Sequence, residues 1–202
     1  MSSTGRFVVV EGIDGCGKST QVTLIAERLR AVDTFEPGAT ALGAALREML
    51  LGDGVEPQPM AEALLIAADR AQHMAEVVEP ALRAGRHVVS DRHAASTIAY
   101  QGYGRGMPLE DLLVLIELAT AGRRPDVTIL LDIDPLLAAD RRSGRADRFE
   151  RMADGFFERV REGYLAQAAA EPSRWVVLDG AEPLAVVSAQ VDQALDERGF
   201  DR

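Results

Sequence analysis

The sequence predicts an α/β protein whose central parallel sheet is covered by helices on both faces, and three observations predict it. Short apolar runs alternate along the chain with longer stretches of helical period. Those runs are apolar at nearly every position, the pattern of strands buried on both sides. A glycine-rich turn joins the first run to the first helical stretch, the strand–loop–helix unit that begins many such sheets.

The elements follow in order. Phe7-Val8-Val9-Val10 reads as a buried strand, and Thr20 to Leu29 place Val22, Ile25, Ala26 and Leu29 on one helical face. A short segment, Asp33-Thr34-Phe35, leads to a turn at Glu36-Pro37-Gly38, then a helix over Ala41 to Leu51 that Gly52-Asp53-Gly54 ends. Met60 to Ala84 reads as one long helix, with Leu64, Leu65, Ala68, Ala71 and Val78 at helical spacing and Gly85 as its stop. The strand Arg86 to Ser90 ends at Asp91-Arg92, and helices are expected over Ala94 to Tyr100 and Leu109 to Ala121. Strands at Asp126 to Asp132 and Arg174 to Asp179 enclose helices near Pro135 to Arg141 and Phe149 to Ala170, and a last helix covers Pro183 to Glu197. In a parallel sheet the loops at the carboxyl ends of the strands share one edge, so the glycine-rich turn, Glu36, Asp91-Arg92 and Asp132 converge on one cleft.

Composition bounds the rest. A chain of 202 residues with 47% hydrophobic content suits a single domain, residues 1–202, that buries a sheet core without disulfides or structural metal. Its one cysteine, Cys16, has no partner for an intramolecular disulfide. The apolar run from Phe7 is too short for a signal peptide, and no segment reaches membrane-spanning length, so a cytoplasmic protein with no membrane role is expected. A net charge of −10 opposes general nucleic-acid binding, while a small anionic ligand is accommodated wherever arginines gather.

The turn itself, Gly12-Ile13-Asp14-Gly15-Cys16-Gly17-Lys18-Ser19, is a complete phosphate-binding loop. Its backbone N–H groups can surround the oxygens of a nucleoside triphosphate, Lys18 can reach the outer phosphates, and the Ser19 hydroxyl can ligate magnesium. The helix opening at Thr20 directs its positive end at the same anion. Cys16 inside the loop invites a redox reading, but a small residue at a variable loop position accounts for it more simply. Asp14 and Asp91 are the acidic candidates: either can orient an acceptor, Asp91 can help hold the metal, and an aspartate at a strand end can also merely cap a turn.

An ordered set of further motifs identifies the family the chain resembles. The phosphate loop, Glu36-Pro37-Gly38-Ala39-Thr40, Ala67-Ala68-Asp69-Arg70, Ser90-Asp91-Arg92-His93, Tyr100-Gln101-Gly102-Tyr103-Gly104-Arg105-Gly106 and Asp147-Arg148-Phe149-Glu150 together resemble the bacterial thymidylate kinases, from about Phe7 to Leu178. The resemblance implies a P-loop nucleoside-monophosphate-kinase fold with a five-stranded parallel sheet and a short arginine-rich lid at about 141–150. It implies transfer of the γ-phosphoryl group of ATP to dTMP with Mg2+, and a homodimer formed through helices such as Leu109 to Ala121 or Met60 to Ala84.

Site residues follow from the same resemblance. Gly12 to Thr20, including Ile13, Gly15, Cys16 and Gly17, would hold ATP, with Lys18 on the phosphates and Ser19 and Asp91 at the metal. Arg92 matches the arginine on the acceptor phosphate, Arg70 its partner from the long helix, and Asp14 an acceptor-orienting carboxylate. Thr97 and Gln101 would meet the thymine edge, and Tyr100 would lie against the sugar or, on the plainer reading, in the core. Arg141, Arg145 and Arg148 would close over ATP from the lid with Arg142 facing solvent; the plainer reading is a solvated basic turn.

Three positions depart from the family pattern, and a fourth, Gly15, differs from some of its members only. Gly15 stands where some relatives carry a loop arginine, which assigns that cation to the lid; Phe35 replaces an arginine, and Ala39 a glycine. Ile66 replaces the ring that stacks on thymine, a change worth about 1 kcal/mol of base binding. Ile66 and Phe35 leave room for a kinase acting on another pyrimidine or modified deoxynucleoside monophosphate. A nucleotide-dependent switch is a third reading, opposed by the absence of an Asn-Lys-x-Asp guanine motif.

Overall fold

The computed structural model describes residues 4–52, 54, 56–141 and 155–200. Its centre is a five-stranded parallel sheet in the order β2-β3-β1-β4-β5, formed by β1 (Phe7–Glu11), β2 (Val32–Phe35), β3 (Val88–Asp91), β4 (Val127–Asp132) and β5 (Trp175–Asp179). Asp33-Thr34-Phe35, read from sequence only as a short segment, is thus most of an edge strand. The register aligns Val10 with Asp91, Phe35 with Asp91 and Glu11 with Leu130, which brings the chemically interesting strand ends to one rim.

Strand pleating divides the core between the two faces. Phe7, Val9 and Val88 pack with Met74, Val78, Ala81 and Leu82, while Val8, Val10, Val89 and Ile129 pack with Val22, Ile25 and Leu29 of α1 (Lys18–Leu29). Each such buried side chain contributes about 1.5–3 kcal/mol relative to exposure. Burial on both sides is why these strands read as continuous apolar runs rather than alternating ones.

The predicted helix over residues 60–84 is three pieces. α2 (Ala41–Leu51), capped by the Thr40 hydroxyl on the Gly43 N–H at 2.9 Å, precedes α3 (Pro59–His73). A π-helical turn, Met74–Val78, then leads to α4 (Glu79–Arg83). Pro80 accounts for the break: it has no N–H for the helical ladder and its ring crowds the carbonyl one turn back, so the turn before it widens. The Glu79 N–H accordingly reaches back five residues, to the Met74 carbonyl.

A second widened stretch lies at the cleft. The helix predicted over residues 94–100 is α5 (Ala94–Thr97) continued by a π-helical segment, Ile98–Gly104, closed by the Arg105 N–H on the Tyr100 carbonyl at 2.9 Å. It is followed by α6 (Leu109–Thr120), α7 (Pro135–Arg141), α8 (Phe156–Ala170) and α9 (Leu184–Glu197). Gly163 lets α8 lie against this segment, because a Cβ there would come within 2.8 Å of the Tyr103 ring. Among the described residues no helix is long and apolar enough to cross a membrane.

Candidate active site

The phosphate loop occupies the turn between β1 and α1. Gly12 has φ 144°, and a Cβ on it would sit 2.7 Å from both the Cys16 Sγ and the Leu131 carbonyl oxygen, so only glycine fits. Gly17, at φ 97°, starts α1 without a side-chain cap and leaves the helix N-terminus open toward a ligand. Cys16 is buried, and burial raises its thiol pKa, which favours the packing role over the redox one.

Lys18 is only 5% exposed, and its Nζ donates to the Ile13 carbonyl at 3.1 Å and to Asp14 Oδ1 at 3.3 Å. Arg92 Nη2 donates to the same Asp14 oxygen at 2.7 Å. Burial alone would raise the pKa of the Asp14 carboxyl; Arg92 and Lys18 outweigh it and hold the group well below its ordinary value. The Ser19 hydroxyl donates to Asp91 Oδ2 at 2.7 Å, so the two expected metal ligands are adjacent oxygens at the mouth of the loop. No cluster of three or more His, Cys, Asp or Glu able to hold a metal occurs among the described residues. One hydroxyl and one carboxylate beside a phosphate site nonetheless fit magnesium, which takes few protein ligands and completes its shell with phosphate oxygens and water.

Arg92 is the most constrained cation of the cleft. Its backbone is left-handed at φ 71°, a conformation that costs a non-glycine residue about 1–2 kcal/mol and that here ends a strand rather than a helix. Its guanidinium reaches Ser96 Oγ at 3.1 Å, the Tyr164 hydroxyl at 3.0 Å and the Tyr100 hydroxyl at 3.0 Å besides Asp14, and it lies 4.9 Å from the Tyr100 ring centre. Behind it, Glu11 is fully buried at the end of β1 and accepts from the Ser96 hydroxyl at 2.7 Å and from Tyr164 at 3.0 Å. Burial raises the Glu11 pKa against the opposing pull of Arg92. Sequence reading passed over Glu11 and Tyr164, and placed Ser96 only within the segment expected to face the nucleoside. Glu11 offered one signal, a charged residue ending an otherwise apolar strand; Tyr164 offered none, since it occupies an ordinary apolar helix position.

Two cavities meet at this point. The outer one, about 730 Å3, is lined by Gly15, Gly17, Lys18, Ser19, Thr20, Asp91 and Arg141. The inner one, about 230 Å3, is lined by Leu50, Ile66, Arg70, Thr97, Tyr100 and Gln101. Asp14, Glu36, Arg47 and Arg92 line both. Arg47 is a further residue that sequence reading missed: from α2 it donates to the Pro37 carbonyl at 2.7 Å and leans over the Phe35 ring at 5.8 Å. A cation thus lies beside the position where Phe35 replaces the family's arginine.

The inner wall rests on a buried polar network. Arg70, 2% exposed, donates through Nε to Glu36 Oε2 at 2.9 Å, through Nη1 to Thr97 Oγ1 at 2.9 Å and through Nη2 to the His93 carbonyl at 3.0 Å. Glu36 Oε1 meets His73 Nδ1 at 2.8 Å and His93 Nδ1 at 2.9 Å. Burial opposes ionisation of Glu36, but Arg70 and His93 prevail and hold its pKa well below the usual carboxylate range. Burial also lowers the His93 pKa, the nearby Glu36 only partly offsetting it.

These shifts give a pH dependence with a definite sign. A histidine whose folded pKa is depressed loses stability as pH falls below its unfolded value of about 6.5, and a carboxylate with a depressed folded pKa does so below about 4.3. Melting temperature should therefore drop on acidification from pH 8 to 5.5 and again toward pH 3.5. Glu36→Gln should melt lower at pH 8 yet lose less over the second interval; a second-interval loss equal to that of the wild type would contradict the assignment.

The lid residues divide. Arg141 donates to the Gly180 carbonyl at 2.6 Å and the Ala181 carbonyl at 2.9 Å while lining the outer cavity. Arg142, Arg145 and Arg148, with 142–150 of the expected lid, lie outside the described residues, as do residues 149–154 of the helix expected over 149–170.

A family model described as "Thymidylate kinase" matches residues 10–191. The chain belongs to the thymidylate kinase family. The thymidylate kinase of Pelotomaculum thermopropionicum is 48% identical over 96% of this chain and 94% of its own length, and that of Deinococcus radiodurans is 44% identical over 98% and 99%. The crystal structure of thymidylate kinase from Ehrlichia chaffeensis superposes with a TM-score of 0.79 at 31% identity, covering 95% of this chain and 99% of that one. The five-stranded sheet is thus the P-loop nucleoside-monophosphate-kinase fold, and the family is one of phosphotransferases, which removes the switch reading.

Proposed function

We propose that the cleft transfers the γ-phosphoryl group of ATP to dTMP, giving dTDP and ADP, with ATP in the outer cavity and dTMP in the inner one. The observation that carries this reading is the junction: two cavities of different size share Asp14 and Arg92 and therefore meet where a phosphoryl group would pass. In such a transfer both reactants are anionic, so positioning and charge neutralisation supply most of the catalysis. Lys18 and the loop N–H groups hold the donor phosphates; Arg92, braced by Asp14, Tyr100 and Tyr164, holds the acceptor phosphate; Arg47 adds a cation between them. Asp14 needs no proton-transfer role, because a phosphate monoester oxygen is already a competent nucleophile near neutral pH. Ser19 and Asp91 would hold Mg2+, which when bound neutralises charge on the donor phosphates.

The base would lie among Ile66, Thr97 and Gln101 with Tyr100 against the sugar; Arg70, expected beside Arg92 on the acceptor phosphate, we assign instead to the base edge because it donates to Thr97 and the His93 carbonyl on that wall. Arg141, Arg145 and Arg148 would close the lid of this single-domain kinase. We place the enzyme in the cytoplasm, acting in dTTP synthesis. A homodimer is supported by the bare apolar face of α6, where Leu113 is 56%, Val114 59% and Leu118 75% exposed.

The test is ADP release with ATP, Mg2+ and each nucleoside monophosphate in turn. Strong dependence on dTMP is expected. Dependence on a different monophosphate alone would overturn the acceptor assignment, and ADP release without any acceptor would overturn the kinase reading.

A further inference from the structure

We infer that the buried pair Glu62–Arg105 sets the choice of base by fixing which end of the Gln101 amide faces the acceptor cavity; this rests on the inner cavity being the dTMP site. Glu62, on α3, and Gln101, on the π-helical segment, are 0% and 1% exposed. Arg105 grips the Glu62 carboxylate with both ends of its fork, Nε to Oε1 at 2.8 Å and Nη2 to Oε2 at 2.6 Å. Gln101 Nε2 donates to the same Oε1 at 2.9 Å.

An ionised carboxylate can only accept hydrogen bonds, so it dictates the orientation of any amide packed against it. With the amide reversed, two acceptors would face each other where no water can intervene. Glu62 therefore keeps the Gln101 nitrogen turned inward, and the amide oxygen is left for the cavity that Gln101 lines. Arg105, donating to both Glu62 oxygens, holds the carboxylate in place against that amide. Gln101 and Arg105, four residues apart on the widened turn, can both reach Glu62 from one side.

Arg70 on the same wall can only donate, and three of its five N–H groups are committed to Glu36, Thr97 and the His93 carbonyl. The wall thus offers an acceptor, Gln101 Oε1, beside a donor, Arg70. A 4-oxo pyrimidine with an N3–H donor complements that order. Cytosine inverts both positions, presenting a bare N3 acceptor and a 4-amino donor. Glu62 and Arg105 touch no substrate in this scheme; they are positioning residues for specificity.

The experiment measures kcat and KM for dTMP, dUMP and dCMP in the wild type, Glu62→Gln and Arg105→Met. A site built on such polarity rejects the mismatched base strongly, so the wild type should prefer dTMP to dCMP by at least about a thousandfold in kcat/KM. Glutamine at position 62 can present either end to Gln101, and Arg105→Met removes the two-point grip that holds the carboxylate against the amide, so the amide loses its fixed orientation. In either variant the dTMP-to-dCMP ratio should narrow at least about tenfold, chiefly through KM, with the KM for ATP within about threefold of the wild type. Arg105→Met carries the test if Glu62→Gln does not fold. Equal losses for dTMP and dCMP, or an unchanged ratio, would overturn the inference and leave the dTMP reading standing. A wild type that prefers dCMP would overturn both.

Discussion

Lys18→Met lowers kcat roughly a thousandfold while the protein still folds, the size expected when a preorganised cation is removed from a transferring phosphoryl group. Lys18 is held at the start of α1 with its Nζ against the Ile13 carbonyl and Asp14. Burial and the nearby Arg92 oppose its charge, but the surrounding acidic groups, Asp14 and Asp91 among them, outweigh both and keep the ammonium protonated. Methionine has a similar length and no charge, so it fills the channel but cannot meet the phosphates. It also removes one donor from the Ile13 carbonyl, which keeps the Cys16 N–H at 3.3 Å, so the loss is about 0.5–1.5 kcal/mol, which a sheet buried on both faces can absorb. The check is kcat in the coupled assay together with a thermal melt. A folded variant with kcat within tenfold of the wild type would contradict the role given to Lys18.

How much of this was legible in the sequence depends on how local each signal is. The phosphate loop could be read because its strand, glycines and helix are contiguous, and Asp91-Arg92 because they follow a buried strand directly. The two π-helical stretches were not read: Pro80, Gly102 and Gly104 mark them, but the same residues are compatible with ordinary turns or with a kinked helix. Glu11, Tyr164 and His73 escaped because their partners are remote in sequence. Tyr164 lies 153 residues from Glu11, and His73 lies 37 from Glu36. Glu36 was placed at the cleft and in a family motif, but the partners its side chain anchors, Arg70, His73 and His93, were not legible. Arg47 shows the same limit, since an exposed helical arginine becomes informative only when the fold carries it beside Phe35. The departures at Phe35 and Ile66 therefore raised a question about the acceptor that local sequence could not answer.

Arg92→Ala separates the acceptor side of the cleft from the donor side. Its guanidinium joins Asp14 to Ser96, Tyr100 and Tyr164, and only a planar group with several diverging N–H bonds can hold that many partners at once. Alanine removes the cation from the junction but leaves Lys18 on Asp14 and leaves Glu11 closed by Ser96 and Tyr164, so the two walls stay in place. The loss should therefore fall on the acceptor: kcat/KM for dTMP drops by about 10²–10³-fold, while the KM for ATP stays within about threefold. Arg92→Lys should recover little, because an ammonium is a point charge that cannot span Asp14 and both tyrosines, and because the left-handed backbone at this position is no easier for lysine. Steady-state kinetics varying each substrate at saturation of the other distinguish the cases. If dTMP dependence is unchanged in Arg92→Ala, or if the damage appears in the KM for ATP, then Arg92 serves the donor and the acceptor phosphate must be held by Arg47 or Arg70 instead.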